Sequence, residues 1–173
     1  LSYKKAGEDA DTIETLKNGL LISKALYDIR SEKTRGTVLN EVSISFPRYD
    51  SESTYLYSDT KTEIAMKQMI AEYAIFANTF IGEYLKINFE GAGLYRICDA
   101  NDWLNTVNPE ITGQELLNEI IVNGIQAEYM STVNPHDLVG AAEYTHFTSP
   151  IRRLSDCVCH YLLKYIHLKN SNP

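Results

Sequence analysis

The chain has 173 residues, of which 44% are hydrophobic and 23% charged, a composition typical of a folded globular protein rather than a disordered one. Its length suits one domain with a sizeable core. No apolar run approaches the roughly 18–20 residues of a membrane helix, and the opening LSYKKAGEDAD lacks the pattern of a secretory signal. We therefore expect no membrane partner and a cytoplasmic location, with the nucleus left open.

Charge and cysteine content narrow the functional classes further. The formal net charge is −7, whereas a non-specific nucleic-acid binder is usually basic overall. Any such function must therefore use a local basic patch or a partner. Three cysteines, Cys98, Cys157 and Cys159, are too few and too irregularly spaced for a disulfide framework. We expect reduced thiols, as in cytosolic proteins.

Apolar spacing predicts four helices, at residues 11–35, 60–87, 113–128 and 150–168. Asp11 or Thr12 is suited to begin the first helix and Gly36 to end it, and Thr112 is suited to cap the third. The apolar face of 60–87 is too wide for a surface helix, so we expect this helix to be buried on most sides.

Short strands are predicted near 42–46, 55–57 and 94–98. The sequence VSISF at 42–46 alternates apolar and polar residues, and Pro47 is expected to end that strand. Residues 129–149 are polar, small and irregular. The predicted fold class is α+β, with a small mixed sheet wrapped by three or four helices.

The chemically informative segment is YTHFTSPIRRLSDCVCHYLL at 144–163, interpreted as a loop that enters a helix. Thr148 or Ser149 would cap the helix, and Pro150 suits its first turn. Arg152 and Arg153 would then lie in that first turn, an unfavourable place for cations but a suitable one for binding an oxyanion such as phosphate. The alternative is a surface arginine pair bound to nearby acids such as Asp156 or Glu143.

This segment closely resembles the signature of the RNase II / RNase R family of processive 3′-to-5′ exoribonucleases. The match is continuous from His146 to Arg153 and continues at Asp156 and His160. Three further segments resemble family elements in the same order: LSYKKA at the start, MIAEYAIFAN at 69–78 and GLYRICDA at 93–100. Leu154 and Tyr161 depart from the family pattern, which usually has Tyr and Arg there; these departures bear on substrate affinity.

The resemblance implies that residues 1–173 are the C-terminal part of an RNB-type nuclease domain, a half-domain. The family's aspartate-rich metal motif and its OB-fold domains have no counterpart in this sequence, and Leu1 in place of Met indicates that the chain does not begin at a natural start codon. The resemblance implies Mg²⁺ in the intact enzyme. We expect none bound to this chain, and assign no metal ligands. The implied partners are single-stranded RNA and the missing N-terminal half or OB-fold domains on a separate chain.

Residue roles follow from the resemblance position by position. Arg152 matches the family's catalytic arginine, and we expect it to point into a cavity with Ser149 or His146 and not to be bound to Asp156. Arg153 is expected to make either a backbone-phosphate or a structural contact. His146 is expected to bind phosphate or organise the loop rather than to act as a base, since two metals activate the water in this family. Thr148 and Ser149 are helix caps first, with a phosphate contact as their second role.

Weaker assignments concern residues outside the signature. Tyr55 resembles the aromatic residue that sandwiches terminal bases; the alternative is a strand aromatic packed in the core. Asn78 makes either a substrate contact or an internal hydrogen bond, and Tyr3 is a candidate RNA contact. His160 is expected to be a satisfied core histidine, paired with Asp156 four positions earlier.

The reaction implied for the intact enzyme is metal-dependent release of nucleoside 5′-monophosphates from the 3′ end of RNA. This chain would supply the phosphate and leaving-group arginine and would be inactive alone. The alternative is a non-catalytic RNA-binding or protein-interaction module, a relic or a pseudoenzyme half. A small-molecule enzyme that uses Arg152 to hold a phosphate lacks support, because the sequence has no glycine-rich cofactor motif.

Overall fold

The computed structural model describes residues 2–33, 46–49, 54–57, 59–111 and 113–171. These residues form six helices and four strands, which confirms the α+β class. The helices are α1 (Tyr3–Asp9), α2 (Glu14–Lys33), α3 (Lys61–Asn88), α4 (Asn101–Leu104), α5 (Gly113–Val122) and α6 (Leu154–Ser171), and the strands are β1 (Phe46–Tyr49), β2 (Thr54–Tyr57), β3 (Ala92–Ile97) and β4 (Glu128–Thr132). The chain divides into two compact units, one of residues 1–29 and 39–73 and the other of residues 30–38 and 74–173.

The first unit is held by an apolar cluster between α1, α2 and the start of α3. Ala10, Met66 and Met69 are buried there, and Leu16 and Leu20 pack against them. The helices α2 and α3 approach closely at Gly19, where an added Cβ would lie 2.9 Å from the Met69 sulfur. Glycine at this position is what permits the close packing of the two helices.

A capping box begins α3. The Thr60 hydroxyl accepts the Glu63 N–H at 3.2 Å, and the Glu63 carboxylate accepts the Thr60 N–H at 2.9 Å. This reciprocal pair satisfies two N–H groups that the helix itself leaves free. The helix therefore begins at Lys61, one residue after the predicted start.

The expectation that α3 is buried on most sides is wrong. Four large apolar side chains, at spacings that place them on one helix face, are exposed in the part of the chain that the structure describes: Phe76, Phe80, Tyr84 and Ile87. The apolar surface of α3 thus extends beyond the part of the helix that packs against the described core.

The second unit packs α6 against α3 and β3. Leu85, Cys159 and Ile166 form its buried apolar cluster. The chain reverses from α3 into β3 at Glu90 and Gly91, which have φ angles of 53° and 88°; only glycine adopts the second without strain. β3 pairs antiparallel with β4, with Arg96 opposite Tyr129.

The sheet prediction needs correction. The described strands form two separate two-stranded antiparallel sheets, β1–β2 and β3–β4, rather than one small mixed sheet. Residues 42–45 lie outside the described residues, and Pro47 lies within β1, opposite Leu56, instead of ending a strand. Among the described strands β1 pairs with β2 alone, and a proline is tolerated in such an edge strand.

The last two predicted helices also differ from those observed. The third ends at Val122 because Gly124 takes a left-handed φ of 65°, and the following residues form β4. The last begins at Leu154 instead of residue 150. Gly36 and Thr112, the expected end and cap, lie outside the described residues. Among the described helices, none is long and apolar enough to cross a membrane.

Candidate functional site

The segment from His146 to Arg153, here called the arginine loop, connects β4 and its following turn to α6. The residue directly before the loop, Thr145, is buried and holds the start of the loop in place. The Thr145 hydroxyl donates to the Leu94 carbonyl of β3 at 2.6 Å and lies 2.9 Å from the Cys159 sulfur of α6. One side chain therefore fixes the start of the loop to both a strand and a helix.

The second residue of the loop is held from two helices. The Phe147 N–H donates to the Asn78 side-chain oxygen of α3 at 2.9 Å, and its carbonyl lies 3.0 Å from His160 Nε2 of α6. The Phe147 and His160 rings also stack, 4.5 Å between centroids. His160 is thus hydrogen-bonded as predicted, but it is half-buried instead of lying in the core, and its partner is Phe147 instead of Asp156.

Asn78 makes an internal hydrogen bond, one of its two expected roles. It is 2% exposed, and its amide nitrogen donates to the Tyr144 hydroxyl at 3.1 Å while its oxygen is bound to Phe147. Both polar ends of the side chain are therefore used inside the fold. This geometry favours the internal role, and an RNA contact of Asn78 stays a prediction.

Asp156, in the first turn of α6, closes the loop. It is fully buried, and its carboxylate accepts the Ser149 N–H at 2.6 Å and two donors of Arg153 at 2.7 and 2.9 Å. Burial alone would raise the pKa of Asp156, but hydrogen bonds from Arg153 and Ser149 hold it below its usual value. The ionised carboxylate thus fixes both the middle and the end of the loop.

The two arginines have different environments. Arg153 is bound side-on to Asp156, the structural contact that was one of its two expected roles. Arg152 is exposed, and its guanidinium forms no hydrogen bond or ion pair with any residue in the described part of the chain. As expected, Arg152 is not bound to Asp156; the expected enclosure in a cavity is not observed. A loop held by hydrogen bonds to α3 and α6 therefore presents one guanidinium that has no partner among the described residues.

His146, the first residue of the arginine loop, is surrounded by positive charge. Burial, together with the charges of Arg153, Arg96 and Arg152, lowers the pKa of His146 to about 4, against the opposing effect of Asp156. The imidazole is therefore neutral at pH 7. Its Nδ1 lies 2.6 Å from the Tyr129 hydroxyl of β4, and the Arg96 guanidinium stacks on the Tyr129 ring at 4.8 Å.

The local charge balance is opposite to that of the whole chain. Arg96, Arg152 and Arg153 surround His146, while the nearby carboxylate of Asp156 is already neutralised by Arg153. The loop therefore carries an excess of positive charge within a chain of net charge −7. Guanidinium groups in such a setting favour a phosphate, which they can bind with two parallel hydrogen bonds.

The same residues do not fit a divalent metal. Mg²⁺ requires clustered oxygen ligands, and the described residues contain no group of three or more His, Cys, Asp or Glu side chains that could hold an ion. The carboxylate at the loop, Asp156, is occupied by Arg153, Ser149 and Ser155. The arginine loop is therefore suited to an anion and not to a cation.

The arginines do not lie in the first turn of α6, contrary to the prediction. Residues 150–152 form a turn before the helix, and the N–H groups of Arg152 and Arg153 both lie 3.3 Å from the Ser149 carbonyl. Neither Thr148 nor Ser149 caps α6 with its hydroxyl within the described region. The acidic residue in the first turn, Asp156, instead suits the positive end of the helix dipole.

Two predicted RNA contacts belong to the first unit, whereas the arginine loop belongs to the second. Tyr3 is the first residue of α1; it is 46% exposed, and the Lys67 ammonium lies 5.9 Å from its ring centre. Tyr55 lies in β2 opposite Arg48. Their roles stay predictions.

Sequence reasoning missed Tyr129 and Arg96. Arg96 lies in the segment GLYRICDA, and its positive charge could have marked it as a candidate phosphate contact. Tyr129 lies in a strand whose five residues are all exposed, so no apolar alternation marks it. Cross-strand pairing, which one strand's sequence does not reveal, brings the two together.

A second neutral histidine makes stability depend on pH. Burial and the charge of Arg96 lower the pKa of His136 to about 4, as for His146, and His136 Nδ1 is buried without a partner among the described residues. Both pKa values lie below the unfolded value of 6.5, so the unfolded chain binds protons first. We expect urea unfolding to give full stability above pH 6.5 and a loss between 6.5 and 4, up to about 1.4 kcal/mol per pH unit for each histidine.

The control for this experiment is His167→Asn, which alters an exposed histidine of α6. This variant should keep the pH dependence of the original chain, whereas His136→Asn should reduce it. A stability that stays constant from pH 7 to 4.5 contradicts the burial of neutral histidines.

A family model described as the RNB domain matches residues 1–169. The chain therefore belongs to the RNB domain family. A curated relative is the Exoribonuclease 2 of Buchnera aphidicola subsp. Schizaphis graminum, 28% identical over 203 residues that cover 98% of this chain and 31% of the relative. The chain thus spans about a third of the length of the curated relatives that match nearly all of it.

Solved structures share the fold. The Dss1 exoribonuclease of Candida glabrata, solved as an active-site mutant, gives a TM-score of 0.73 at 15% identity over 98% of this chain and 24% of that one. Mycoplasma genitalium RNase R bound to ribose-methylated single-stranded RNA gives 0.62 at 20% identity, over 94% and 32%. Yeast Ssd1, a pseudonuclease, gives 0.66 at 18% identity, over 100% and 26%. The chain therefore shares its α+β fold with these proteins.

Proposed function

We propose that this chain is the C-terminal part of the catalytic domain of an exoribonuclease that degrades single-stranded RNA from its 3′ end to nucleoside 5′-monophosphates in the cytoplasm. The observation that carries this proposal is the arginine loop. Its backbone is fixed by Asn78, His160 and Asp156, while Arg152 is left without a partner among the described residues. The membership of the RNB family supports the same conclusion.

Arg152 would act on the phosphate at the scissile bond. Hydrolysis of a phosphodiester places additional negative charge on the phosphate oxygens and on the departing oxygen. A guanidinium held in advance stabilises that charge without reorganising at the moment of reaction. Because Asp156 already binds Arg153, it does not compete for Arg152.

The other predicted contacts would hold the RNA. Thr148 and Ser149 directly precede Pro150 in the arginine loop and would donate hydroxyl protons to phosphate oxygens. Tyr3 and Tyr55 would stack on bases, an interaction worth about 1–3 kcal/mol per base and tolerant of sequence. Arg153 would add positive charge while serving chiefly to hold the loop.

The Mg²⁺ ions implied by the family would be held by carboxylates outside this chain, since the described residues lack a suitable cluster. Other domains would capture the RNA, because the match covers only 31% of the curated relative. An aspartate-bearing half of an RNB domain is therefore the expected partner, in the same protein or on a separate chain.

We expect the isolated chain to release no nucleotides from single-stranded RNA in Mg²⁺. Adding the aspartate-bearing half of an RNB domain should restore release; this combination is called the reconstituted enzyme below. The reason is that this chain would supply the arginines of the site but not the carboxylates that hold the metal ions. Release of labelled mononucleotides measures the outcome, and the chain carrying Arg152→Ala is the control. Robust degradation by the wild-type chain alone would sink the proposal.

The alternative, a non-catalytic RNA-binding or protein-interaction module, has one observation in its favour, the shared fold of the pseudonuclease Ssd1. The two functions differ in a measurable way. A binding module should retain RNA in a gel-shift assay and yield no mononucleotides even when the aspartate-bearing half is present.

A further inference from the structure

Four polar groups form a continuous chain of hydrogen bonds beside the arginine loop. His146 Nδ1 lies 2.6 Å from the Tyr129 hydroxyl, which lies 2.9 Å from the Ser155 hydroxyl. The Ser155 hydroxyl donates to the Asp156 carboxylate at 3.2 Å. His146 begins the loop, and Ser155 and Asp156 follow its end. The chain of bonds therefore spans the loop from one side to the other.

The chemistry of these groups fixes the direction of every bond. The carboxylate of Asp156 is ionised and can only accept, so it takes the single proton of Ser155. Ser155 must then accept its other bond from Tyr129, which uses the single proton of the phenol. The Tyr129 oxygen is left as an acceptor, and the neutral imidazole of His146 must donate to it from Nδ1.

This order determines what His146 can do. A neutral imidazole carries one proton, so His146 with Nδ1–H has a bare Nε2. Such a histidine cannot donate a hydrogen bond to a phosphate through Nε2. Of its two expected roles, organising the loop is the one that this arrangement supports.

Tyr129 itself is held in place from β3. Arg96 stands directly opposite Tyr129 in the antiparallel pair, and its guanidinium stacks on the ring at 4.8 Å. A cation over an aromatic face is attracted to the negative face of the ring, and this contact persists at the 41% exposure of Tyr129. The phenol thus has a defined orientation when it meets His146 and Ser155.

We propose that Tyr129 is a positioning residue for Arg152, acting by tying His146 and Ser155 together across the base of the arginine loop. This inference rests on the proposed function, in which Arg152 stabilises charge on the scissile phosphate. Loss of the hydroxyl frees both sides of the loop while the ring, its stacking with Arg96 and the β3–β4 pairing are kept.

The test uses Tyr129→Phe, with Tyr165→Phe as the matched control. Tyr165 lies on α6, is 51% exposed and stacks on Phe89, so its variant also loses a hydroxyl and keeps a ring. In the reconstituted enzyme we expect Tyr129→Phe to lower kcat about tenfold, the size expected when the hydrogen bonds that hold the loop are lost and Arg152 is less well positioned, with KM changed less than about twofold. The control should change neither.

Two further measurements separate positioning from general structural damage. The ¹⁵N shifts of His146 in the isolated chain should report an Nδ1–H tautomer, and Tyr129→Phe should move the equilibrium towards Nε2–H. In an Arg152→Ala background, Tyr129→Phe should change kcat less than about twofold, because the residue through which it acts is gone.

The outcomes are distinguishable from those of the proposed function. An unchanged tautomer in Tyr129→Phe, or the same tenfold loss with and without Arg152, overturns the positioning role alone. Full activity of Arg152→Ala overturns the proposed function, whereas the tautomer result still tests the hydrogen-bond order.

Discussion

Replacing Arg152 by alanine should lower the kcat of the reconstituted enzyme by about 10²–10³, the range seen when one donor to a developing oxyanion is removed, with little change in KM. The guanidinium matters most when negative charge develops at the scissile phosphate, so its loss acts on the transition state more than on RNA binding. Arg152→Lys should recover little activity, because an ammonium cannot reproduce the planar pair of donors. Single-turnover hydrolysis and RNA affinity measured side by side check both statements.

Lys164→Ala is the matched control for Arg152. It removes an exposed cation from α6, the helix that the arginine loop enters, and should leave kcat within about twofold. Near-normal turnover by Arg152→Ala, or equal losses in the two variants, means that the arginine contributes only general positive charge.

Asp156→Asn should destabilise the isolated chain by about 3 kcal/mol, the lower end of the range for breaking a buried ion pair from one side. The carboxylate is fully buried and accepts bonds from Ser149, Arg153 and Ser155. An amide cannot accept all of these donors and leaves the Arg153 charge without its partner. Because Arg153 is 23% exposed, water screens part of this loss. Urea unfolding at pH 7 measures it.

Acid supplies an independent check on Asp156. Its pKa in the folded chain lies below 3.8, so its contribution to stability is present above that pH and is lost as the pH falls through the folded value. The difference between the original chain and Asp156→Asn should therefore shrink in acid. The exposed Asp99→Asn variant is the control and should change stability by less than about 0.5 kcal/mol. A loss of that small size in Asp156→Asn contradicts the role of this carboxylate in holding the loop.

The sequence alone indicated the location of the site because its chemistry is concentrated in one short segment. Residues 146–153 combine a histidine, two hydroxyls, a proline and two arginines, and family resemblance assigned roles to them. Their separate environments were not predictable, since adjacent arginines look equivalent in a sequence. The two arginines differ because Asp156, in the first turn of α6, binds Arg153.

Elements that depend on distant pairing were the ones missed. β4 is exposed along its whole length, so its strand character arises from backbone bonds to β3 rather than from an apolar pattern. The start of α6 was placed at Pro150 on local grounds, whereas the turn at 150–152 is stabilised by Asp156 and Ser149 together. Long apolar periodicity, as in α3, was predicted within one residue at each end.

The most direct test of the account is the fate of a single-stranded RNA labelled at one end or the other and given to the reconstituted enzyme. Degradation from the 3′ end should release a 3′-terminal label at once as a nucleoside 5′-monophosphate. A 5′-terminal label should stay on a shortening fragment, and both changes should slow by about 10²–10³ with Arg152→Ala. Release of the 5′ label first, products that carry a 3′-phosphate, or equal rates with Arg152→Ala would contradict the account.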